Sequence, residues 1–139
     1  MTSVRMNRIL APIALILLVG CGPNIADVRG KITFDGKPVT AGIVTFAPKV
    51  PENQFDAGKP ATAMPDENGE FRLSTFRKGD GALIGTHNVT YQAPGPPRDN
   101  HPQTAENYKK FGNVRLKADY TVEVKSGVNN ITLELERAQ

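Results

Sequence analysis

Polar and apolar residues alternate along most of this chain. "VRGKITF", residues 28–34, sets Val28, Gly30, Ile32 and Phe34 on one face and Arg29, Lys31 and Thr33 on the other. A period of two marks a half-buried strand. "GIVTFAP", 42–48, repeats it with Val44 and Phe46 inward, and "EFRLST", 70–75, with Phe71, Leu73 and Thr75. "HNVTYQA", 87–93, turns Val89, Tyr91 and Ala93 inward, and "YTVEVK", 120–125, does the same with Tyr120, Val122 and Val124. "NITLELE", 130–136, closes the series with Ile131, Leu133 and Leu135. "ATAMP", 61–65, reads as a short edge strand, because Pro65 has no N–H to give a ladder. Turn chemistry lies between the runs. Asp35-Gly36 between two alternating segments predicts a hairpin. "PDENGEF" predicts a tight turn in which Asp66 accepts backbone hydrogen bonds and Gly69 takes a positive φ. About seven short strands, with no sustained 3.6-residue period, predict an all-β fold, a single antiparallel β-sandwich.

Two segments break the alternation. Residues 94–113, "PGPPRDNHPQTAENYKKFGN", begin with a proline-rich stretch. The spacing then predicts a helical turn or two from Thr104 to Phe111, capped by Thr104 and stopped by Gly112. Connections of that length are usually functional or mobile. The other break is at the start. Arg5 and Arg8 precede an apolar run from Ile9 to Val19, interrupted only by Pro12. Positive start and short apolar middle form the pattern of a secretory signal. The run is about half the ~20 residues of a membrane-spanning helix.

The run ends Leu18-Val19-Gly20-Cys21, which resembles the lipobox of bacterial lipoproteins. That resemblance implies a diacylglycerol thioether on Cys21, cleavage before it, and acylation of the new amino group. Two or three acyl chains, at about 0.8 kcal/mol per buried methylene, hold a protein to a membrane where one does so only marginally. The expected organisation is a signal peptide over 1–20, a lipidated N-terminus and short tether over 21–27, and a sandwich domain over 28–136. Gly22 in place of Asp after the cysteine implies, by analogy with lipoprotein sorting, the outer membrane or cell surface.

Composition narrows the chemistry. Arg5 and Arg8 leave with the signal, so the +3 of the whole chain falls to about +1. No basic stripe interleaved with aromatics suggests nucleic acid. One cysteine excludes an internal disulfide. Two histidines, His87 and His101, far apart in sequence, are poor material for a zinc site or a nucleophile–base pair, so no metal, cofactor or catalytic residue is assigned. "DENGE" has oxygen ligands but lacks the twelve-residue calcium loop, and is read as a turn. The chain has no Trp for a sugar platform; Phe55, Phe76, Tyr108 and Phe111 stand in or near loops, where such aromatics more often fold back onto a core.

Three phrases, "VRGKITFDGKPVTAGIVTFAP", "ATAMPDENGEFRLST" and "GDGALIGTHNVTYQ", together resemble carboxypeptidase-regulatory-like, or transthyretin-like, β-sandwich domains of short bacterial lipoproteins. The resemblance implies a scaffold. Gly30 admits a neighbouring backbone, Asp35 and Gly36 turn the chain, Phe71 enters the core, and Gly81 and Gly85 bend the chain into the strand near His87. Ile84 stands where the family often has Pro, and His87 where it often has a corner-pinning Tyr, so either His87 hydrogen-bonds there instead or the corner is looser. The expectation is a membrane-anchored, extracytoplasmic, non-enzymatic binding or structural module of the cell envelope. The alternatives are a carbohydrate-binding accessory and, less favoured, a small hydrolase. Besides lipid attachment at Cys21, the expected contact surface for an envelope or secreted protein, or glycan, is the 94–113 segment: Arg98, His101, Tyr108, Lys109, Lys110 and Phe111.

Overall fold

The computed structural model describes residues 22–50, 52–98 and 100–139; the expected signal peptide and Cys21 lie outside the described residues. In chain order come β1 (Ile25–Phe34), β2 (Lys37–Pro38), β3 (Ile43–Pro48), β4 (Ala61–Ala63), β5 (Glu70–Arg72), β6 (Ala82–Leu83), β7 (Gly85–Gln92), α1 (Pro102–Phe111), β8 (Val114–Leu116), β9 (Thr121–Val124) and β10 (Val128–Arg137).

The strands form two sheets. In the six-stranded sheet β1 is the spine. β10 lies along one of its edges, from Asp27 opposite Val128 to Phe34 opposite Leu135. Three short strands pair in tandem with the other edge: β6 at residues 25–26, β5 at 29–31 and β2 at 33–34. β8 extends the sheet beyond β10. The four-stranded sheet runs β4-β3-β7-β9, antiparallel throughout. The inward faces meet as a two-layer, sandwich-like core. Val28, Ile32 and Leu133 face Val44, Phe46 and Val89, all buried. Burying such side chains contributes roughly 1.5–3 kcal/mol each. The Phe46 ring stands 6.5 Å from that of Phe71 and 6.0 Å from that of His87, tilted against both.

Several expectations need correction. The sheet is not purely antiparallel, because β1 and β10 run parallel. The Asp35-Gly36 turn forms, with φ of 49° and 74°. Both central residues of a tight hairpin turn of this kind need positive φ. Its return strand, however, is only the two residues of β2. The chain then dives through buried Val39 into the other sheet, so β3 pairs with β4 and β7, not with β1. β9 and β10, though consecutive, also lie in different sheets, and the turn between them crosses from one to the other. β8, only three residues long, was not expected. β1 begins at Ile25, so residues 25–27 of the expected tether are strand, and Ala26 is buried. α1 starts two residues before Thr104, with Pro102 in its first turn and His101 at the cap position. Proline suits that first turn because the N–H it lacks would have no partner there. Gly112 ends the helix in the right-handed region, its N–H reaching the Tyr108 carbonyl at 2.8 Å.

Gly30 does what its position suggests. It lies where β5 and β10 both flank β1, and a Cβ there would stand 1.8 Å from the Ile131 carbonyl oxygen.

Candidate functional site

The connections sort the molecule into two ends. At the first, β1 and β10 begin side by side, β6 pairs with residues 25–26, and the Ile84 N–H reaches the Asn24 carbonyl at 2.9 Å. β7 starts there, and β3 and β9 finish against it, at His87 opposite Pro48 and Gly85 opposite Val124. This is the end where the described chain begins, and we term it the tether end. β1 leads away from it for ten residues, about 33 Å at 3.3 Å per residue. At the far end β7 stops at Gln92 beside Ile43, and β8 starts at Val114 beside Arg137, near the close of β10. α1 joins those two points, so it lies at the end opposite the tether.

The expected contact residues therefore fall together at the helix end. Thr104, Asn107 and Phe111, at helical spacing, are the half-buried positions of α1, and Phe111 packs against the core. Phe111 thus seats the helix. Lys109, Lys110 and Tyr108 are exposed, the last by 42%. Lys110 pairs with Glu106 one turn earlier, and this bond holds the Glu106 carboxyl below its ordinary pKa. The two lysines in the last turn also complement the helix dipole. Arg98 is exposed in the proline-rich lead-in, and His101 stands at the helix start. Arg115, also basic and nearby in sequence, is paired across the sheet with Glu136 at 3.1 Å. At this end the Tyr91 hydroxyl donates to the Ala41 carbonyl at 2.8 Å, and burial pushes its pKa up to about 12.

The tether end is built differently. His87 is fully buried, and its Nε2 lies 2.7 Å from the Leu83 carbonyl, so that nitrogen carries the proton. His87 thus ties the start of β7 to β6. Its Nδ1 has no hydrogen-bond partner among the described residues. The Asp80 carboxylate accepts from the backbone N–H groups of Thr75, Phe76 and Arg77 at 2.7, 3.0 and 2.8 Å. Partial burial opposes its ionisation, but those three donors outweigh it, and its pKa lies below the ordinary value. The Asn129 amide brackets the turn between β9 and β10, accepting from Lys125 N–H at 3.0 Å and donating to the Lys125 carbonyl at 2.8 Å. Nothing in the alternation pattern points to Asp80 or Asn129; an acidic or amide residue beside a glycine-rich turn is the only signal.

On the outer face of the larger sheet, Arg29 stands opposite Arg72, a like-charge pair that would be unfavourable alone. Asp27 bonds to Arg29 and, at 3.1 Å, to Arg72, so one carboxylate serves both. The Arg29 bond is the chief reason its pKa is lowered.

The two histidines lie at opposite ends of the fold. Among the described residues no three His, Cys, Asp or Glu side chains come together as a metal site would need. Nor, among them, is any helix long and apolar enough to cross a membrane. Of the loop aromatics, Phe55 and Phe76 do not fold back onto the core as expected: both are exposed.

Fold and site together define a mostly β, two-layer protein with chemically distinct ends. No family model matches the chain, and no curated protein does. Among solved structures, a DUF3823 family protein from Parabacteroides merdae ATCC 43184 is a distant structural match. Its TM-score is 0.46 at 14% identity, over 84% of this chain and 48% of that one. This chain spans about half the length of that protein.

Proposed function

We propose that the protein is a lipoprotein of the cell envelope, held to a membrane through Cys21, presenting a transthyretin-like sandwich as a non-enzymatic docking module at the outer membrane or cell surface. The observation that supports this most is the placement of α1. The tether segment enters one end of the fold, and the exposed residues Tyr108, Lys109 and Lys110 stand at the other. A protein anchored at its first end offers its far end to the periplasm or the exterior. The outward face of α1 contributes little to the core, which leaves it free to suit a partner. Its basic last turn suits an acidic protein surface. Cross-linking in intact cells, read by mass spectrometry, tests the reading. A partner joined at Lys109 or Lys110 in the native protein should vanish in Cys21→Ser. If neither form captures a protein, the docking role fails, and retention on wall or extracellular polysaccharide becomes the next measurement.

A further inference from the structure

Six large apolar side chains are exposed among the described residues, and four of them crowd the tether end. Val50 and Phe55 stand in the loop between β3 and β4, exposed by 53% and 108%. Phe76, 51% exposed, belongs to the turn that Asp80 organises, and Val128, 60% exposed, opens β10 beside Asp27. Such residues cost solubility where they face water. At this end they come from two separate loops and the start of β10. The loops are also built rather than loose. Asp56 accepts from the Gly58 N–H at 2.8 Å, and the Lys59 ammonium sits 5.4 Å from the centre of the Phe76 ring. Val50, Leu83 and Ile84 line a hollow of about 530 Å³ that Asn24 also borders, which places the β3–β4 loop directly beside the tether.

Charge follows the same pattern. Lys49, Lys59, Lys78 and Lys125 are exposed around the apolar residues, with Arg77. Glu52 and Asp56 oppose them in the β3–β4 loop, with Glu123 near the close of β9, and Asp80 is occupied by backbone donors. The balance is mildly positive. Apolar tips ringed by lysines are suited to the boundary between anionic headgroups and acyl chains.

We infer that the tether end is a second membrane contact: the loops bearing Val50, Phe55 and Phe76, with Val128, dip into the headgroup region of the phospholipid surface that holds Cys21. This rests on the lipoprotein reading. Only Gly22, Pro23 and Asn24 separate Cys21 from β1. Four residue steps reach at most about 14 Å. A domain on so short a leash cannot stand clear of the bilayer, and the end it lays against the lipid is the end with the exposed apolar residues. Contact there fixes the orientation of the domain and points α1 away from the membrane. A second copy of the chain would be the other occupant of such a patch, but nothing would then match its position beside the tether.

The test uses the native, lipid-bearing protein. Acylation blocks Cys21, so a single introduced cysteine carries an environment-sensitive fluorophore: Phe55→Cys at the tether end or Gln103→Cys on α1. Both sites are exposed, so folding is not at stake. Each is reconstituted into phosphatidylethanolamine–phosphatidylglycerol vesicles containing a brominated-chain phospholipid. The expected result is blue-shifted emission, mostly quenched, at position 55, and unshifted, unquenched emission at position 103. Equal, unquenched emission at both positions, with acyl mass present on the Cys21 peptide, overturns the inference and leaves the lipoprotein reading intact. A label at 55 that responds only to protein concentration, and not to bromolipid, assigns the patch to self-association and likewise overturns it. Absence of acyl mass on Cys21 overturns both.

Discussion

The two ends of the sandwich are held by different means. At the tether end, side chains bond to backbone: His87 to Leu83, Asp80 to three consecutive N–H groups, Asn129 to both polar groups of Lys125. Each satisfies main-chain groups that a strand ladder leaves over, so each fixes the path of a connection. At the helix end Tyr91 makes one such bond, to Ala41, but the long connection there is carried by α1, which has no fully buried residue and is seated by Phe111 on a half-buried stripe. The difference teaches where the fold resists change and where it permits it. A connection fixed by several bonds to its own backbone cannot drift without breaking them. A helix resting on one aromatic can change its whole outward face at little cost.

That contrast can be broken in a graded way. His87→Ala should have the largest effect. It removes a fully buried ring next to Phe46 and strips the Leu83 carbonyl of its donor, for about 3 kcal/mol of lost stability by chemical denaturation. Asp80→Ala should cost about 2 kcal/mol, because three backbone donors lose their acceptor together. Phe111→Ala should cost about 1–2 kcal/mol, less than a core phenylalanine, since the site is half exposed to begin with. Its loss of helicity in circular dichroism should leave the sheets intact. Tyr108→Ala and Lys110→Ala should leave the melting temperature unchanged within error. If the helix-end substitutions proved as costly as those at His87 and Asp80, the division between the ends would be wrong.

Acid sharpens the same comparison. Asp27 and Asp80 both have folded pKa values below the ordinary 3.8. The unfolded chain therefore binds more protons than the folded one as pH falls. The stability these groups contribute is present above 3.8 and is lost as pH drops through their depressed values. Melting temperature should fall in that window, and Asp80→Asn should flatten part of the slope. A slope unaltered in both Asp80→Asn and Asp27→Asn would remove these carboxylates from the explanation.

Much of this was legible in the sequence, and the rest was not for a physical reason. Alternation reports which residues of one strand face inward, and it placed Val28, Ile32, Val44, Phe46, Phe71, Val89 and Leu133 correctly, all of them buried. The turns at Asp35-Gly36 and Asp66 were equally readable, because their chemistry is local; Asp66 accepts from Asn68 and Glu70 as its position suggests. Partner and direction are not local. The parallel pairing of β1 with β10 joins residues about a hundred apart, and nothing in either strand states it. Strands of two or three residues, such as β6 and β8, are too short to show a period. The 94–113 segment was visible as an exception, but its distance from the tether depends on the whole topology, as does the gathering of Val50, Phe55, Phe76 and Val128.

The most direct measurement is lysine footprinting on the lipid-bearing protein bound to vesicles, with a membrane-impermeant acylating reagent, against the Cys21→Ser form in solution. Lys109 and Lys110 should react equally fast in both, while Lys49, Lys59 and Lys125 slow several-fold on the membrane. Slowing at Lys109 and Lys110, with Lys49 and Lys59 unaffected, would turn the molecule the other way up and contradict the two-ended account.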